Sequence, residues 1–262
     1  DPRRNPRRVP RSRPPPVTPG PGRRRLDLEL PARGLARSRS HALELIRSGR
    51  VRVAGDVVTR ASTPVGPDDA LLVEPAPWVS RAAHKLLGAL DESGVTVPAR
   101  VLDAGASTGG FTQVLLSRGA RRVYAVDVGH GQLAPPLRAD PRVRNLEGVN
   151  LRGLGLDHVD GAPVDLAVGD VSFISLRLVM APVLGVLAPG ATALLLVKPQ
   201  FEVGRQRLGA GGVVTDETER AGAVDRVLDE AARLGWECFW RAPSRLPGPA
   251  GNVEFFIGLR RA

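Results

Sequence analysis

Short apolar runs recur at 101–102, 123–128, 143–146, 166–168 and 193–197, separated by helix-length segments at 113–117, 176–187 and 217–234. That alternation predicts a mostly parallel sheet with helices on both faces. Two late apolar stretches, 237–240 and 253–259, are expected to pair antiparallel at its edge. Earlier in the chain the pattern is different. Leu43, Leu45 and Ile46 give a short helix its apolar side, with Gly49 placed to end it. Val51 and Val53 then alternate with polar residues, and Ala54-Gly55-Asp56 reads as a hairpin turn. The stretch "VEPAPWV", 73–79, carries two prolines and reads as a linker, with Trp78 available to pack the domains together or to join the second core. The chain therefore divides into an arm at 1–22, a small α+β unit at 23–72, a linker at 73–79 and an α/β domain at 80–262.

Composition narrows the class. With 262 residues, 42% of them apolar, the chain can bury the core of one large domain and one small one. The longest unbroken apolar run, 193–197, is far below the ~18 residues of a membrane helix, so no membrane partner is expected. No signal-peptide pattern appears and the single cysteine, Cys238, cannot form an internal disulfide, which fits a reducing cytoplasm. The net charge of +10 is concentrated at the start, where residues 1–25 hold nine Arg against Asp1 alone. This Arg/Pro-rich arm is expected to stay extended and to attract phosphates non-specifically. A monomer is expected, and no metal site.

Candidate chemistry starts in the small unit. Residues 34–39, "GLARSR", then 45–51, "LIRSGRV", and Gly55 resemble the alpha-L RNA-binding domain. The resemblance implies contacts to structured RNA through phosphate and shape. Arg24, Arg25, Arg37, Arg39, Arg47, Arg50 and Arg52 are its candidate contacts, with Arg81 in the large domain.

The segment "VLDAGASTGGFTQVLL" places a strand, a turn at Gly105, Gly109 and Gly110, and a helix from about Phe111. Its spacing is neither the G-x-G-x-x-G of a dinucleotide site nor a phosphate loop with Gly-Lys-Ser/Thr. Asp127 follows the next strand, 24 residues after Asp103, where an acid can accept hydrogen bonds from ribose hydroxyls. A glycine-rich loop without phosphate chemistry and a ribose-binding acid resemble class I S-adenosylmethionine-dependent methyltransferases, with a Rossmann-like, seven-stranded, mostly parallel sheet. The cofactor residues implied are Asp103, Gly105, Ser107, Gly109, Gly110, Phe111, Asp127, Val128 and Asn150. Residues 105–109 also fit the G-x-S-x-G elbow of a serine hydrolase, but no His follows His158 to complete a triad.

The chain has 37 basic side chains and only two are lysines, Lys85 and Lys198. Lys198 follows "ALLLV" at the carboxyl end of a strand, and Asp170 ends the preceding one. Lys85 lies on the first helix of the large domain and Glu254 near a last strand, so the four could converge. Arginine stays protonated, whereas a buried lysine beside positive charge can give up its proton and act as a base. The order Lys85, Asp170, Lys198, Glu254 resembles the tetrad of FtsJ-like ribose 2'-O-methyltransferases. With "WVSRAAHKL", "LDAGASTGGFT", "DVGHGQLA", "DVSFIS", "LVKPQFEVG" and "PGPAGNVEFF", the chain resembles the TlyA family of rRNA methyltransferases over residues 24–259.

That resemblance implies methylation of cytidine 2'-hydroxyls in large-subunit rRNA, in one subgroup also small-subunit rRNA, with sensitivity to capreomycin-type antibiotics. The partners implied are rRNA and ribosomal subunits. Three features depart from the family pattern: His130 where relatives often have Tyr, the Arg/Pro arm, and an end soon after Leu259 where dual-target members carry a further segment. A non-enzymatic RNA-binding assembly factor and a membrane-lytic haemolysin are the alternatives. The glycine-rich segment 199–214 is expected to be a mobile loop closing over RNA, with Phe201 either stacking on a base or packing on the sheet.

Overall fold

A computed structural model describes residues 22–75 and 77–261. All but Gly22 of the expected arm lies outside the described residues. The chain falls into two compact units that meet between Pro77 and Trp78.

In the first unit, β1 (Arg24–Arg25) leads into α1 (Leu26–Ala32), and Ser38 caps α2 (Arg39–Arg47) by accepting a hydrogen bond from the His41 amide. Helix α2 buries Ala42, Leu45 and Ile46 against Leu26 and Leu30 of α1. Strands β2 (Val51–Val53) and β3 (Asp56–Val57) form the expected hairpin. Its turn places Ala54 at φ 51° and Gly55 at φ 93°, two successive left-handed residues of the kind that match strand twist. Strand β5 (Leu71–Val73) pairs with the other side of β2, while β4 (Pro64–Val65) pairs with β1. The linker expected from residue 73 thus starts inside the last residue of β5.

The second unit is a seven-stranded sheet. Its elements run α3 (Ala82–Ser93), β6 (Arg100–Ala104), α4 (Gly110–Ser117), β7 (Arg122–Val126), α5 (Pro135–Arg138), β8 (Val143–Leu146), β9 (Val164–Gly169), α6 (Arg177–Gly185), β10 (Leu187–Val197), α7 (Pro199–Glu202), α8 (Glu217–Arg233), β11 (Trp236–Pro243) and β12 (Phe255–Arg261). The spatial order is β11-β12-β10-β9-β6-β7-β8. Strands β6 to β10 pair in parallel, and β12 enters antiparallel between β10 and β11. One apolar layer holds Leu102, Tyr124, Met180 and Leu195. The other holds Leu86, Phe111, Leu115 and Leu194, with Trp78 packed against it. Trp78 therefore serves the core of its own unit. Successive residues of β10 feed opposite layers, which is why its apolar run is continuous rather than alternating.

The chain order reverses across the sheet between β6 and β9. Loops after strands on either side of such a point splay apart and leave a crevice at the carboxyl ends.

Candidate active site

Two clefts open at that crevice. One, about 290 Å³, is bordered by Arg81, Lys85, Ser107, Asp170, Ser172 and Lys198, with Gly105 and Gly110 at its back. The other, about 430 Å³, is bordered by Asp127, Val128, Gln132, Asn150, Phe173 and Ile174. Gly105, Ser107, Asp170 and Ser172 border both, so the clefts are continuous.

The glycine turn makes this possible. Gly105 has φ +85°, and a Cβ there would stand 3.0 Å from the Asp170 carbonyl oxygen. Gly109 has φ +95°, and its Cβ would run into the Leu137 and Leu133 side chains. At Gly105 a side chain would crowd backbone, and at both positions it would sit in a left-handed conformation that L residues rarely adopt.

In the larger cleft, Asp127 accepts hydrogen bonds from the Ser107 amide (2.8 Å) and the Gly129 amide (2.8 Å), one at each carboxylate oxygen. Each oxygen keeps a lone pair for a further donor, so the carboxylate is oriented before any ligand arrives. Asn150 accepts from the Arg152 amide at 3.0 Å, which leaves its side-chain amide nitrogen as a donor at the cleft wall. Val128 is largely exposed beside it. These groups fit a nucleoside: an acid for the ribose, apolar surface and an amide for the base.

One cofactor expectation needs correction. Asp103 borders neither cleft. It is fully buried, its Oδ2 accepts the Thr112 hydroxyl at 2.6 Å, and its Oδ1 has no partner among the described residues. Burial, opposed by the Thr112 bond and reinforced by the nearby Asp170 charge, pushes its carboxyl up to about 7. Phe111 borders the smaller cleft, but its ring is buried and lies 6.2 Å from that of Phe256, so its main work is in the core.

The smaller cleft holds both lysines. Lys198 Nζ lies 2.6 Å from Asp170 Oδ1 and donates to Ser172 Oγ at 2.6 Å. Lys85 Nζ donates to Glu254 Oε2 at 2.6 Å, and Gln200 Nε2 donates to the other Glu254 oxygen at 3.3 Å. Lys85 and Lys198 are each 8% exposed, and Glu254 is 1% exposed. Glu254 is placed by the antiparallel entry of β12, one residue before the strand begins. The four residues nominated from sequence thus form two ion pairs, one with a serine as third member. Ser172 was missed, although its place two residues after Asp170, beyond the end of β9, is a signal that could have found it.

Phe173 also escaped the sequence reading. It has φ 66°, is 92% exposed at the mouth of the larger cleft, and its ring centroid lies 5.6 Å from that of Phe201. Phe201 is thus the supporting ring and Phe173 the presented one. Nor is the 199–214 segment a free loop throughout: Asn252, buried, accepts from the Val214 amide at 2.9 Å and donates to the Gly212 carbonyl at 3.1 Å.

In the first unit the arginines sort into two groups. Fully buried Asp27 accepts from Arg25 (2.9 and 3.2 Å) and from Arg39 (2.9 Å). Arg24 pairs with Glu29 at 3.4 Å, Arg50 donates to the Glu74 carbonyl at 2.9 Å, and Arg52 pairs with the Glu74 carboxylate. Arg50 and Arg52 thus tie the end of the unit to its hairpin. Arg37 and Arg47 have no ion pair among the described residues. Arg81, at the head of α3, borders the smaller cleft instead.

A seven-stranded sheet with one antiparallel strand, β12, next to its edge, a glycine loop at the crevice and a cleft lined by an acid, apolar surface and an amide define an S-adenosylmethionine-dependent methyltransferase of class I. The chain matches the FtsJ-like methyltransferase family over residues 78–261 and the S4 domain over residues 24–71. It is 52% identical to the 16S/23S rRNA (cytidine-2'-O)-methyltransferase TlyA of Mycobacterium tuberculosis, covering 91% of this chain and 90% of that protein. It is 33% identical to the 23S rRNA (cytidine-2'-O)-methyltransferase TlyA of Campylobacter jejuni, covering 84% and 92%. A solved structure described as a hemolysin, from Streptococcus thermophilus, superposes with a TM-score of 0.71 at 34% identity, covering 92% of this chain and 89% of that one. The chain belongs to the TlyA family. Among the described residues no helix is long and apolar enough to cross a membrane.

Proposed function

We propose that this protein methylates the ribose 2'-hydroxyl of a cytidine in ribosomal RNA, using Lys85, Asp170, Lys198 and Glu254. The observation that carries this reading is the pair of carboxylate-held ammonium groups in one cleft, continuous with the nucleoside cleft. Large-subunit rRNA is the substrate that the names of both TlyA relatives share, so it is the substrate proposed here.

The chemistry follows from the site. S-adenosylmethionine, when bound, supplies a methyl group on a positively charged sulfur. Asp127 and Asn150 would hold its nucleoside, and the Gly105 turn lets its remainder approach the strand ends. The accepting hydroxyl is a poor nucleophile until its proton leaves. As the neutral amine Lys198 takes that proton, or as the ammonium it steers the oxygen by donating to it, and Asp170 and Ser172 fix the direction in which Nζ points. Lys85, held by Glu254, adds a second positive charge to the same cleft. Phe173 offers a face on which an unstacked base can rest. The S4 unit supplies RNA affinity through Arg37, Arg39 and Arg47.

The test is transfer of labelled methyl to undermethylated large subunits, with the modified nucleotide mapped by primer extension at limiting nucleotide. Label should reside on a cytidine ribose, and Lys198→Ala should lower turnover at least ~100-fold while RNA binding persists. Binding without methylation by the wild-type protein would instead identify an RNA-binding assembly factor, and near-normal turnover of Lys198→Ala would reject its assigned role.

A further inference from the structure

Glu202 is a charged residue in the core of the domain that the proposed reaction does not use. Its carboxylate is 1% exposed. It belongs to α7, the single helical turn that follows Lys198 directly. Its described carboxylate hydrogen bonds run to another segment, the end of the loop between β9 and α6 and the first residue of α6: Ser175 Oγ donates at 2.6 Å, the Leu176 amide at 2.6 Å and Arg177 Nε at 3.3 Å.

That loop carries Asp170, Ser172 and Phe173. Strands β9 and β10 run parallel and hydrogen-bonded as far as Gly169 and Leu195, after which no ladder holds their extensions together. Beyond that point, besides apolar packing, the described polar and ring links between them are the Lys198 contacts to Asp170 and Ser172, the Phe173–Phe201 ring contact, and Glu202. The first two links face the cleft and are open to change when substrate enters. Glu202 lies behind them, at the amino end of α6, where free amides and the helix dipole favour a carboxylate.

We propose that Glu202 is a positioning residue for the transfer reaction: by tying α7 to the start of α6 it sets where Lys198 stands relative to Asp170 and Ser172. It touches neither substrate nor cofactor. The inference rests on the proposed role of Lys198, and its main test does not depend on catalysis.

The chain's only lysines are Lys85 and Lys198, equally buried. Amine acylation at limiting reagent, read by mass spectrometry, therefore gives two rates from one sample. Lys85 is held from α3 by Glu254 and serves as the internal control. In Glu202→Ala, the Lys198 rate should rise at least about fivefold over that of Lys85, with the thermal transition still cooperative. Glu202→Gln keeps one acceptor oxygen and should restore most of the protection. A role in stability alone would raise both rates together or neither. In parallel, kcat for labelled methyl transfer should fall at least about tenfold in Glu202→Ala, with KM for S-adenosylmethionine within about twofold. An unchanged ratio of labelling rates in both variants would overturn the proposal, whether or not activity fell. A raised ratio with Lys198→Ala fully active would leave the loop tie standing and reject the role of Lys198 instead.

Discussion

Removing Lys85 strands a carboxylate. Glu254 is 1% exposed and has two partners, the Lys85 ammonium at 2.6 Å and the longer Gln200 bond at 3.3 Å. Breaking a buried pair from one side costs about 3–5 kcal/mol, because the remaining charge keeps its desolvation penalty and loses its compensation. The surviving Gln200 bond argues for the lower end, about 3 kcal/mol in Lys85→Ala. For a domain of this size, that corresponds to a fall in Tm of roughly 6–12 °C. Converting both members, Lys85→Met with Glu254→Gln, removes the charge and its partner together and should recover most of the loss. Activity should not return, because the cleft still lacks the Lys85 ammonium. Urea unfolding of the wild type, the two single variants and the double variant closes the cycle, with methyl transfer measured on the same samples. If Lys85→Ala cost less than about 1 kcal/mol, Glu254 would be hydrated in solution and the dry pair would be wrong. If the double variant methylated normally, the pair would be structural only.

Two further outcomes follow from the geometry. Asp103, whose carboxyl stands near 7 when folded, binds its proton more tightly in the folded state than in the unfolded chain. The stability it lends is therefore full at low pH, declines as pH rises from about 4 to 7 and is flat above; about three pH decades at roughly 1.4 kcal/mol each set a ceiling of about 4 kcal/mol. Urea titrations across that range should show a shallower slope in Asp103→Asn, and an identical slope would remove the burial argument. Arg37 and Arg39 should each lower RNA affinity when changed to Ala, reducing the salt slope by about 1 per lost phosphate contact. Arg37→Ala should do so with Tm unchanged because it has no ion pair in the described structure, and equal affinity of the double variant at low salt would remove the assignment.

Much of the two-lysine cleft was legible because parallel strands deliver their next residues to one edge of the sheet. Asp170 after β9 and Lys198 after β10 could be placed together from that rule alone. Lys85 with Glu254 was harder, since their contact depends on β12 turning back between β10 and β11, and the sequence indicated only that the last strands belonged at an edge. Asp103 was misjudged for a local reason: a Thr nine residues later, on the first turns of α4, draws its carboxylate inward. Phe201 and Phe173 could not be ranked from sequence, because the left-handed backbone at Phe173 turns one ring outward over the other. Glu202 gave no signal, since a carboxylate in a single helical turn reads as solvated surface until α6 is seen to begin beside it.

Strand β12 also bears on when the protein becomes competent during its synthesis. The partner of Lys85 is 169 residues further along, so a nascent chain that has released only β6 to β10 from the ribosome has most of a sheet around half of the two-lysine cleft. Until the closing hairpin emerges, β10 offers a bare apolar edge and one lysine lacks its counter-charge. Any product cut short before residue 254 should therefore be both inert and prone to self-association, which ties the onset of activity to completion of the polypeptide.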